Sequence, residues 1–270
     1  MKIMLCVATM IVCLIFGPAF AREQTTLVAG GTGSGLGILK VLGKHYSTLH
    51  PEMTINVSPS LGSTGGIRAL QAGAIDLAIS SRSLKEQEKE NLQELPLGSS
   101  PLVFAVHPDT PIHDMTFRLA AGIYSGAIST WPDGRQIRRF LRPESDTDWL
   151  LMRRVSDEMA KALDIAQKTQ GLYLAVTDAD AVSSLEQVTG SFGPTTLAMV
   201  LAEKRKVQLL SLTGRQPADV GVDPGYPMLK TFWLIIRSDA RPGILAFIAF
   251  IASPEGKKIV SELGIMPAEG

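Results

Sequence analysis

The sequence predicts an α/β fold built around a parallel sheet. Short apolar runs typical of buried strands alternate with runs whose apolar residues recur at helical spacing. Glycine and hydroxyl residues cluster at 30–35 and again at 62–66, each time between a strand-like run and a helix-like run. A chain of 270 residues with 45% hydrophobic residues is long enough for two domains and too apolar for disorder.

The first elements form a βαβαβ pattern. The predicted order is a strand at Thr26–Ala29, a helix with Leu39, Leu42, Tyr46 and Leu49 on its apolar face, a strand at Thr54–Ser58, a helix at Ile67–Ala72 and a strand at Ile75–Ser80. Such units form parallel sheets, in which ligands bind outside the carboxyl ends of the strands. Both glycine clusters and residues 80–83 fall there, so we expect these three segments to converge on one crevice.

The remaining elements are predicted in the same way. They are a charged helix at Lys85–Asn91, a strand at Leu102–Val106, a helix at Phe117–Tyr124, a strand at Gln136–Leu141, a long helix at Asp146–Lys168, a strand at Leu172–Thr177, a helix capped by Asp178 that runs to Val188, a strand at Thr231–Ile236, and a helical segment at Pro242–Leu263 broken at Pro254. The pattern changes after His107, where we expect the chain to cross into a second domain.

Residues 1–21 have the features of a cleaved secretory signal. Lys2 precedes an uncharged apolar run, and the small residues Ala19 and Ala21 flank Phe20 at the expected cleavage site. An uncleaved anchor is the alternative, although the run is shorter than the roughly 20 residues of a spanning helix. Both cysteines, Cys6 and Cys13, lie inside this segment. We therefore expect a periplasmic protein, cleaved after Ala21, that has no disulfide.

Composition and motifs argue against several function classes. The chain has 26 basic and 26 acidic residues, which gives no electrostatic case for nucleic acid or a membrane surface. Leu36 stands where a dinucleotide-binding motif needs its third glycine, and no hydrolase elbow surrounds Ser34 or Ser63. The four histidines are scattered, without metal-ligand spacing. The sequence predicts no enzyme, no cofactor and no metal.

The two glycine clusters predict an anion cradle. A helix that begins in a turn of Gly, Ser and Thr presents unpaired backbone N–H groups and the positive end of its dipole. The hydroxyl groups add donors around the same point. For any single Ser or Thr, a cap that serves only its own helix is the alternative.

Several segments resemble one protein family. They are Thr32-Gly33-Ser34, residues 62–84, residues 123–131, the Arg142–Thr147 loop, Gly225-Tyr226-Pro227 and residues 247–258. In these segments the chain resembles the substrate-binding proteins of bacterial phosphate ABC importers, a branch of the type II periplasmic binding protein superfamily. Their order and spacing are kept over nearly the whole chain.

The resemblance implies a fold of two lobes. Each lobe is a largely parallel sheet flanked by helices, and two crossover strands join them. Lobe 1 would comprise residues 22–107 and 228–270, and lobe 2 residues 108–227. The lobes would close by a hinge motion around an anion.

The resemblance also implies a function. A monomer would capture an oxyanion, foremost phosphate, and deliver it to a membrane permease. The alternatives are a sensing module of the same fold that signals to a membrane partner, and a binder of another anion or of an organic phosphate.

The resemblance and the anion cradle together give a set of candidate ligand-binding residues. These are Thr32, Gly33, Ser34, Ser63, Thr64, Ser81, Arg82, Arg142, Ser145, Asp146 and Thr147. The planar guanidinium of Arg142 can hold two oxygens of a tetrahedral anion. A neighbouring group of arginines, Arg135, Arg138 and Arg139, is interpreted as a solvated patch that can also guide anions or contact the permease.

The chain departs from the family pattern at two positions. Ser81 stands where phosphate binders commonly carry a carboxylate that accepts the phosphate proton, and Asp146 replaces a glycine. Asp146 is either a helix cap that faces away from the site or the acceptor that replaces the missing carboxylate. Arg82 lies nearby and is expected to compensate the negative charge of Asp146. If Asp146 has neither role, the ligand is not orthophosphate.

Overall fold

Strands and helices alternate along the molecule, as the sequence predicts. The computed structural model describes residues 24–217 and 225–268. The strands are β1 (Thr25–Gly31), β2 (Met53–Val57), β3 (Leu77–Ser80), β4 (Leu92–Val106), β5 (Asp114–Met115), β6 (Arg138–Arg139), β7 (Ser191–Thr196), β8 (Gln208–Leu209), β9 (Ser211–Leu212), β10 (Leu229–Arg237) and β11 (Met266–Pro267). The helices are α1 (Gly33–Leu49), α2 (Gly62–Gln71), α3 (Phe117–Ser125), α4 (Thr147–Arg153), α5 (Asp157–Lys168), α6 (Asp178–Gln187), α7 (Leu197–Glu203), α8 (Pro242–Ala252) and α9 (Pro254–Glu262). The predicted signal segment and both cysteines lie outside the described residues.

The main sheet has the strand order β2-β1-β3-β10-β4-β7-β6. β1 pairs in parallel with β2 and β3, as the βαβαβ pattern predicts, whereas β10 pairs antiparallel with β3 and β4. The long strand β4 pairs with β10 through residues 92–101 and then with β7 through residues 102–106. It thus connects two groups of strands, and the α/β fold class is confirmed.

Two large hydrophobic cores lie on these groups of strands in the described part of the chain. The first core includes Leu27, Leu39 and Phe247, and the second includes Phe104 and Trp149. α7 packs on α1, and its Ala198 belongs to the first core, although residues 108–227 are expected to form the other lobe. The division into lobes at residues 107 and 227 stays a prediction. None of the helices in residues 24–217 and 225–268 is long and apolar enough to cross a membrane.

Two predicted helices are wrong in extent. Residues 85–91 form only a short 3₁₀ turn at Glu86–Glu88, and Asn91 at their end takes a left-handed φ of 57°. The predicted helix from residue 146 to 168 is two helices, α4 and α5. Ser156 begins the second one by accepting a hydrogen bond from the Met159 N–H, at 3.1 Å.

Other predictions differ in smaller ways. Leu49 is 52% exposed and lies off the buried face of α1. The strand expected at 136–141 is the two-residue β6, and the one expected at 172–177 is an isolated bridge between Leu141 and Leu174. The break at Pro254 is confirmed, because Ser253 ends α8 and caps α9.

β7 is a fully buried strand that the sequence pattern does not predict. Gly193 and Pro194 interrupt its apolar pattern. The ring of Phe140 occupies the space where a side chain at position 193 would lie, so this close packing requires glycine.

Candidate functional site

The first glycine cluster joins β1 to α1 by a tight turn. Gly31 has a φ of 134°, and a side chain there would collide with the carbonyl oxygen of Ile79. The Thr32 N–H donates to that same oxygen at 2.9 Å, which ties the start of α1 to the end of β3. Thr32 and Ser34 are buried, with their hydroxyl oxygens 3.5 Å apart.

Hydroxyl groups from three other segments meet beside this turn. The oxygen of the Ser81 hydroxyl, after β3, lies 3.0 Å from that of Ser63 in α2 and 2.9 Å from that of Thr147 in α4. Ser63 also accepts the Ser81 N–H at 3.0 Å. The elements predicted to converge do converge here.

These residues line a cavity of about 370 Å³. Of the sequence-predicted residues, the cavity wall contains Thr32, Ser63, Thr64, Ser81, Arg82, Arg142, Ser145, Asp146 and Thr147. Gly33 and Ser34 do not line it. The Ser34 N–H instead donates to the Asp178 carboxylate at 3.1 Å, and Gly33 lies against the same carboxylate.

Arg142 is the buried cation of the cavity, with 1% of its surface exposed. Its Nη2 donates to Asp146 at 2.9 Å and to Asp178 at 3.3 Å, and its Nη1 donates to the Ala175 carbonyl oxygen at 2.8 Å. Burial alone would lower the pKa of Arg142, but the neighbouring aspartates raise it. Arg142 therefore remains charged, and its donors are held by two carboxylates and a backbone carbonyl oxygen.

Asp146 combines two contacts. It caps α4 by accepting the Asp148 N–H at 3.0 Å, and it pairs with Arg142 while lining the cavity. The cap is confirmed, and the expectation that a capping Asp146 faces away from the site is wrong. Because α4 begins next to Arg142 in space, one carboxylate reaches both. Its role as a proton acceptor stays a prediction.

Arg82 does not pair with Asp146. It forms a bidentate ion pair with Glu88, in which Nη1 and Nη2 donate to the two carboxylate oxygens at 2.7 and 2.8 Å. Its Nη2 also donates to the Thr64 hydroxyl at 3.2 Å. The hydrogen bond from Arg82 lowers the pKa of Glu88 to about 2. Glu88 lies only six residues beyond Arg82 in the chain, and it occupies the guanidinium that was expected to compensate Asp146.

Asp178 and Lys230 join the charge network beside the cavity, a role that the sequence pattern predicts for neither. The prediction that Asp178 caps α6 is wrong, because Thr177 takes that position and accepts the Asp180 N–H at 3.1 Å. Asp178 instead approaches Arg142, the Ser34 N–H and Lys230, the last at 3.4 Å. Its carboxylate thus lies at the N-terminus of α1, where an anion is stabilised.

Lys230 lies beneath the cavity on β10. It is 1% exposed, and its Nζ is 2.6 Å from Asp148. Burial would lower the pKa of Lys230, but Asp148 and Asp178 raise it. Burial raises the pKa of Asp148 to about 6, although Lys230 opposes the shift. The charges of Lys230 and Arg142 keep the pKa of Asp178 below its ordinary value, against the effect of burial.

This charge balance restricts what the cavity can bind. Arg82, Arg142 and Lys230 face the carboxylates of Glu88, Asp146, Asp148 and Asp178, which leaves one excess negative charge when all are ionised. The charged residues around Arg142 therefore supply no surplus positive charge, and the hydroxyl groups in the cavity wall are uncharged hydrogen-bonding groups. In residues 24–217 and 225–268 no group of His, Cys, Asp and Glu is arranged to hold a metal ion.

Comparisons with known proteins give one consistent family. The PBP superfamily domain model matches residues 18–255. The phosphate-binding protein PstS of Borreliella burgdorferi is 21% identical over 98% of both chains. PstS 2 of Streptococcus pneumoniae is 27% identical over 37% of this chain, and the match spans only 34% of that relative.

A solved structure has the same fold. It is a Clostridium perfringens protein assigned as a phosphate ABC transporter substrate-binding protein, with bound phosphate. It is 20% identical, with a TM-score of 0.74, and the match covers 91% of this chain and all of that one. The fold and the family match agree, and the chain belongs to the PBP superfamily.

Proposed function

We propose that this protein binds an oxyanion, foremost phosphate, in the cavity beside Arg142. The observation that carries the proposal is a cavity whose wall contains both a buried guanidinium and hydroxyl groups from the ends of separate elements. Arg142 supplies a positive charge, although its Nε and Nη2 already pair with Asp146, and Ser63, Ser81 and Thr147 supply adjustable donors or acceptors. The phosphate-binding names of the relatives support the same ligand.

Binding, rather than catalysis, is the proposed activity. The protein would be a monomer of two lobes divided near residues 107 and 227, with the candidate residues contributed by both. Closure on an anion would create the surface that a permease of an ABC importer recognises, and the anion would pass to that permease. The signal-like segment at residues 1–21 supports export to the periplasm, and N-terminal sequencing of the exported protein tests cleavage after Ala21.

Calorimetry on the protein freed of ligand by unfolding and refolding tests the ligand. We expect saturable binding of phosphate with one site per chain, and weaker or no binding of sulfate. The absence of phosphate binding would contradict the proposal. Phosphate uptake in cells that lack the gene, restored by the wild-type chain, tests delivery.

A substitution of Asp146 tests whether its carboxylate accepts the proton of the bound phosphate. If its carboxylate accepts the proton of hydrogen phosphate, Asp146→Asn weakens phosphate binding and improves sulfate binding, because an amide can donate to a fully ionised anion. Asp146→Asn keeps an oxygen that can cap α4. Equal changes for both anions would remove this role from Asp146.

An organic phosphate is the second candidate ligand. Leu61 and Val176 line the cavity and are 42% and 60% exposed, so apolar surface is available beside the oxyanion donors. The cavity volume of about 370 Å³ falls within the range of small-molecule sites. A phosphate ester that binds more tightly than phosphate, and loses this advantage in Leu61→Ser, would favour this candidate.

A further inference from the structure

A second cavity lies on the far side of the Leu141–Leu174 bridge from the candidate site. Its volume is about 430 Å³. One wall is the chain around β6, at the edge of the main sheet, and the others are residues 171–173 and the C-terminal part of α6. The Leu141 N–H donates to the Tyr173 carbonyl oxygen at 2.8 Å, which separates this cavity from the one that Arg142 lines.

Two arginines in the wall have no acidic partner in the part of the chain that the structure describes. Within the described residues, no carboxylate pairs with Arg138 or Arg139, and the Nε of Arg139 is buried without a hydrogen-bond partner. By contrast, the nearby Arg135 pairs with Asp133, and Arg142 pairs with Asp146. Burial lowers the pKa of Arg139, which is the direction expected for a cation without a counter-ion.

The local structure offsets the charge of Arg139 only in part. A side chain added at Gly126 would lie 3.2 Å from the Arg139 Nη2, so the guanidinium sits beside the residue that ends α3. The C-terminal end of a helix stabilises a nearby cation only weakly. Leaving a charged donor buried without a partner costs more than this. The Nε atom itself is closed off from the cavity, but an anion in the cavity would offset the charge of the guanidinium.

The rest of the wall is largely apolar. Ile137 and Phe140 are buried in it, Leu172 lies beside them, and Tyr173 and Val188 are 54% and 39% exposed. A small inorganic anion would leave this surface uncovered. A molecule with both an anionic group and an apolar body would fill the cavity.

We propose that this cavity is a second binding site, which takes an organic anion with an apolar body. The anionic group pairs with Arg138 and Arg139, and the body packs against Phe140, Leu172 and Tyr173. The inference does not depend on the proposed phosphate site, because no residue of one wall belongs to the other.

The test uses two related probes on the chain without residues 1–21. The anionic probe is 8-anilinonaphthalene-1-sulfonate, and the neutral probe is N-phenyl-1-naphthylamine, which lacks the sulfonate. We expect one saturable site for the anionic probe, with unchanged affinity in the presence of excess phosphate. Arg138→Gln and Arg139→Gln should each weaken the affinity for the anionic probe by about tenfold or more, since each removes a charge-assisted hydrogen bond. The affinity for the neutral probe should not change in these variants.

Controls separate this outcome from misfolding and from general loss of charge. Arg154→Gln removes an exposed positive charge outside the cavity and should leave the affinity for the anionic probe unchanged. Arg138 is exposed, so Arg138→Gln should keep the wild-type melting temperature. Ser184→Phe places a ring in the cavity and should block both probes. Lack of saturable binding of the anionic probe, equal affinity in both arginine variants and the wild type, or displacement by phosphate would overturn the proposal.

Discussion

At the scale of single residues, one network of buried charges sets the properties of the candidate site. Arg142 and Lys230 hold Asp146, Asp148 and Asp178 at the base of the cavity. A buried ion pair is a weak source of stability, but removal of one partner leaves an uncompensated charge. Substitutions in this network should therefore affect folding and binding together, and both need to be measured.

The first prediction concerns Arg142. Arg142→Ala should reduce the free energy of phosphate binding by about 2–5 kcal/mol, because it removes a buried charge partner of the anion. Calorimetry measures this loss, with Arg154→Ala as the control. Phosphate affinity equal to that of the wild type would exclude Arg142 from the site.

The second prediction concerns the pH dependence of stability. The pKa of Asp148 is raised from its ordinary 3.8 to about 6, so the folded state binds this proton more tightly than the unfolded chain does. The resulting stabilisation is complete below pH 3.8 and is lost as the pH rises through 6. Relative to Asp148→Asn, which cannot titrate, the wild type should lose unfolding free energy as the pH rises from 4 to 7. Denaturant unfolding at several pH values measures this, and parallel curves would contradict it.

Local sequence pattern predicted only part of the site. Thr32, Ser63 and Ser81 were predicted because each lies where a strand ends in a recognisable turn. Asp178 and Lys230 lie 52 residues apart, and their contact depends on how α6 and β10 pack. No pattern within either element predicts that contact.

At the scale of elements, helix starts position the charged groups. The capping box at Thr177 fixes the first turn of α6 and thereby the Asp178 carboxylate. Sequence analysis predicted the start of α6 within one residue but assigned the cap to Asp178. Asp and Thr are both favoured at that position, and only the backbone geometry distinguishes them.

The third prediction tests this cap. Thr177→Ala should destabilise the protein by about 0.5–2 kcal/mol, because it removes the hydroxyl that accepts the Asp180 N–H. Thr48→Ala, in the last turn of α1, removes an exposed hydroxyl that does not cap a helix and serves as the control. Equal unfolding free energies for the two variants would show that the cap contributes no stability.

Element predictions failed where tertiary contacts override local pattern. The strand β7 contains Gly193 and Pro194, which sequence rules treat as breakers, yet it is buried between β4 and β6. The long helix predicted from residue 146 breaks at Ser156, since a serine inside an apolar pattern can begin a new helix. The βαβαβ start was predicted well, because its periodicity is strong and its contacts are local.

At the scale of the whole molecule, the candidate site lies between parts of the chain that belong to different cores. Helix α1 packs in the first core and Trp149 of α4 in the second, and the cavity wall contains Thr32, just before α1, and Thr147, the first residue of α4. The Ser81–Thr147 and Ser34–Asp178 hydrogen bonds already join the two sides. Ligand binding should therefore stabilise the protein as a unit.

The fourth prediction follows from this linkage. At a phosphate concentration of 100 times Kd, the stabilisation is about 2.7 kcal/mol, which corresponds to a rise in Tm of roughly 5–10 °C for a chain of this size. Thermal unfolding with increasing phosphate measures it, and sulfate is the control. No shift with phosphate, or the same shift with sulfate, would contradict specific phosphate binding.

The most direct test of the central claim is nuclear magnetic resonance of the Arg142 side chain during a phosphate titration. The Nε–H resonance is assigned by its disappearance in Arg142→Lys. We predict that phosphate shifts this resonance together with the backbone amides of Ser63, Ser81 and Thr147, in a single saturable transition. Phosphate binding that leaves these signals unmoved, or no binding at all, would contradict the account.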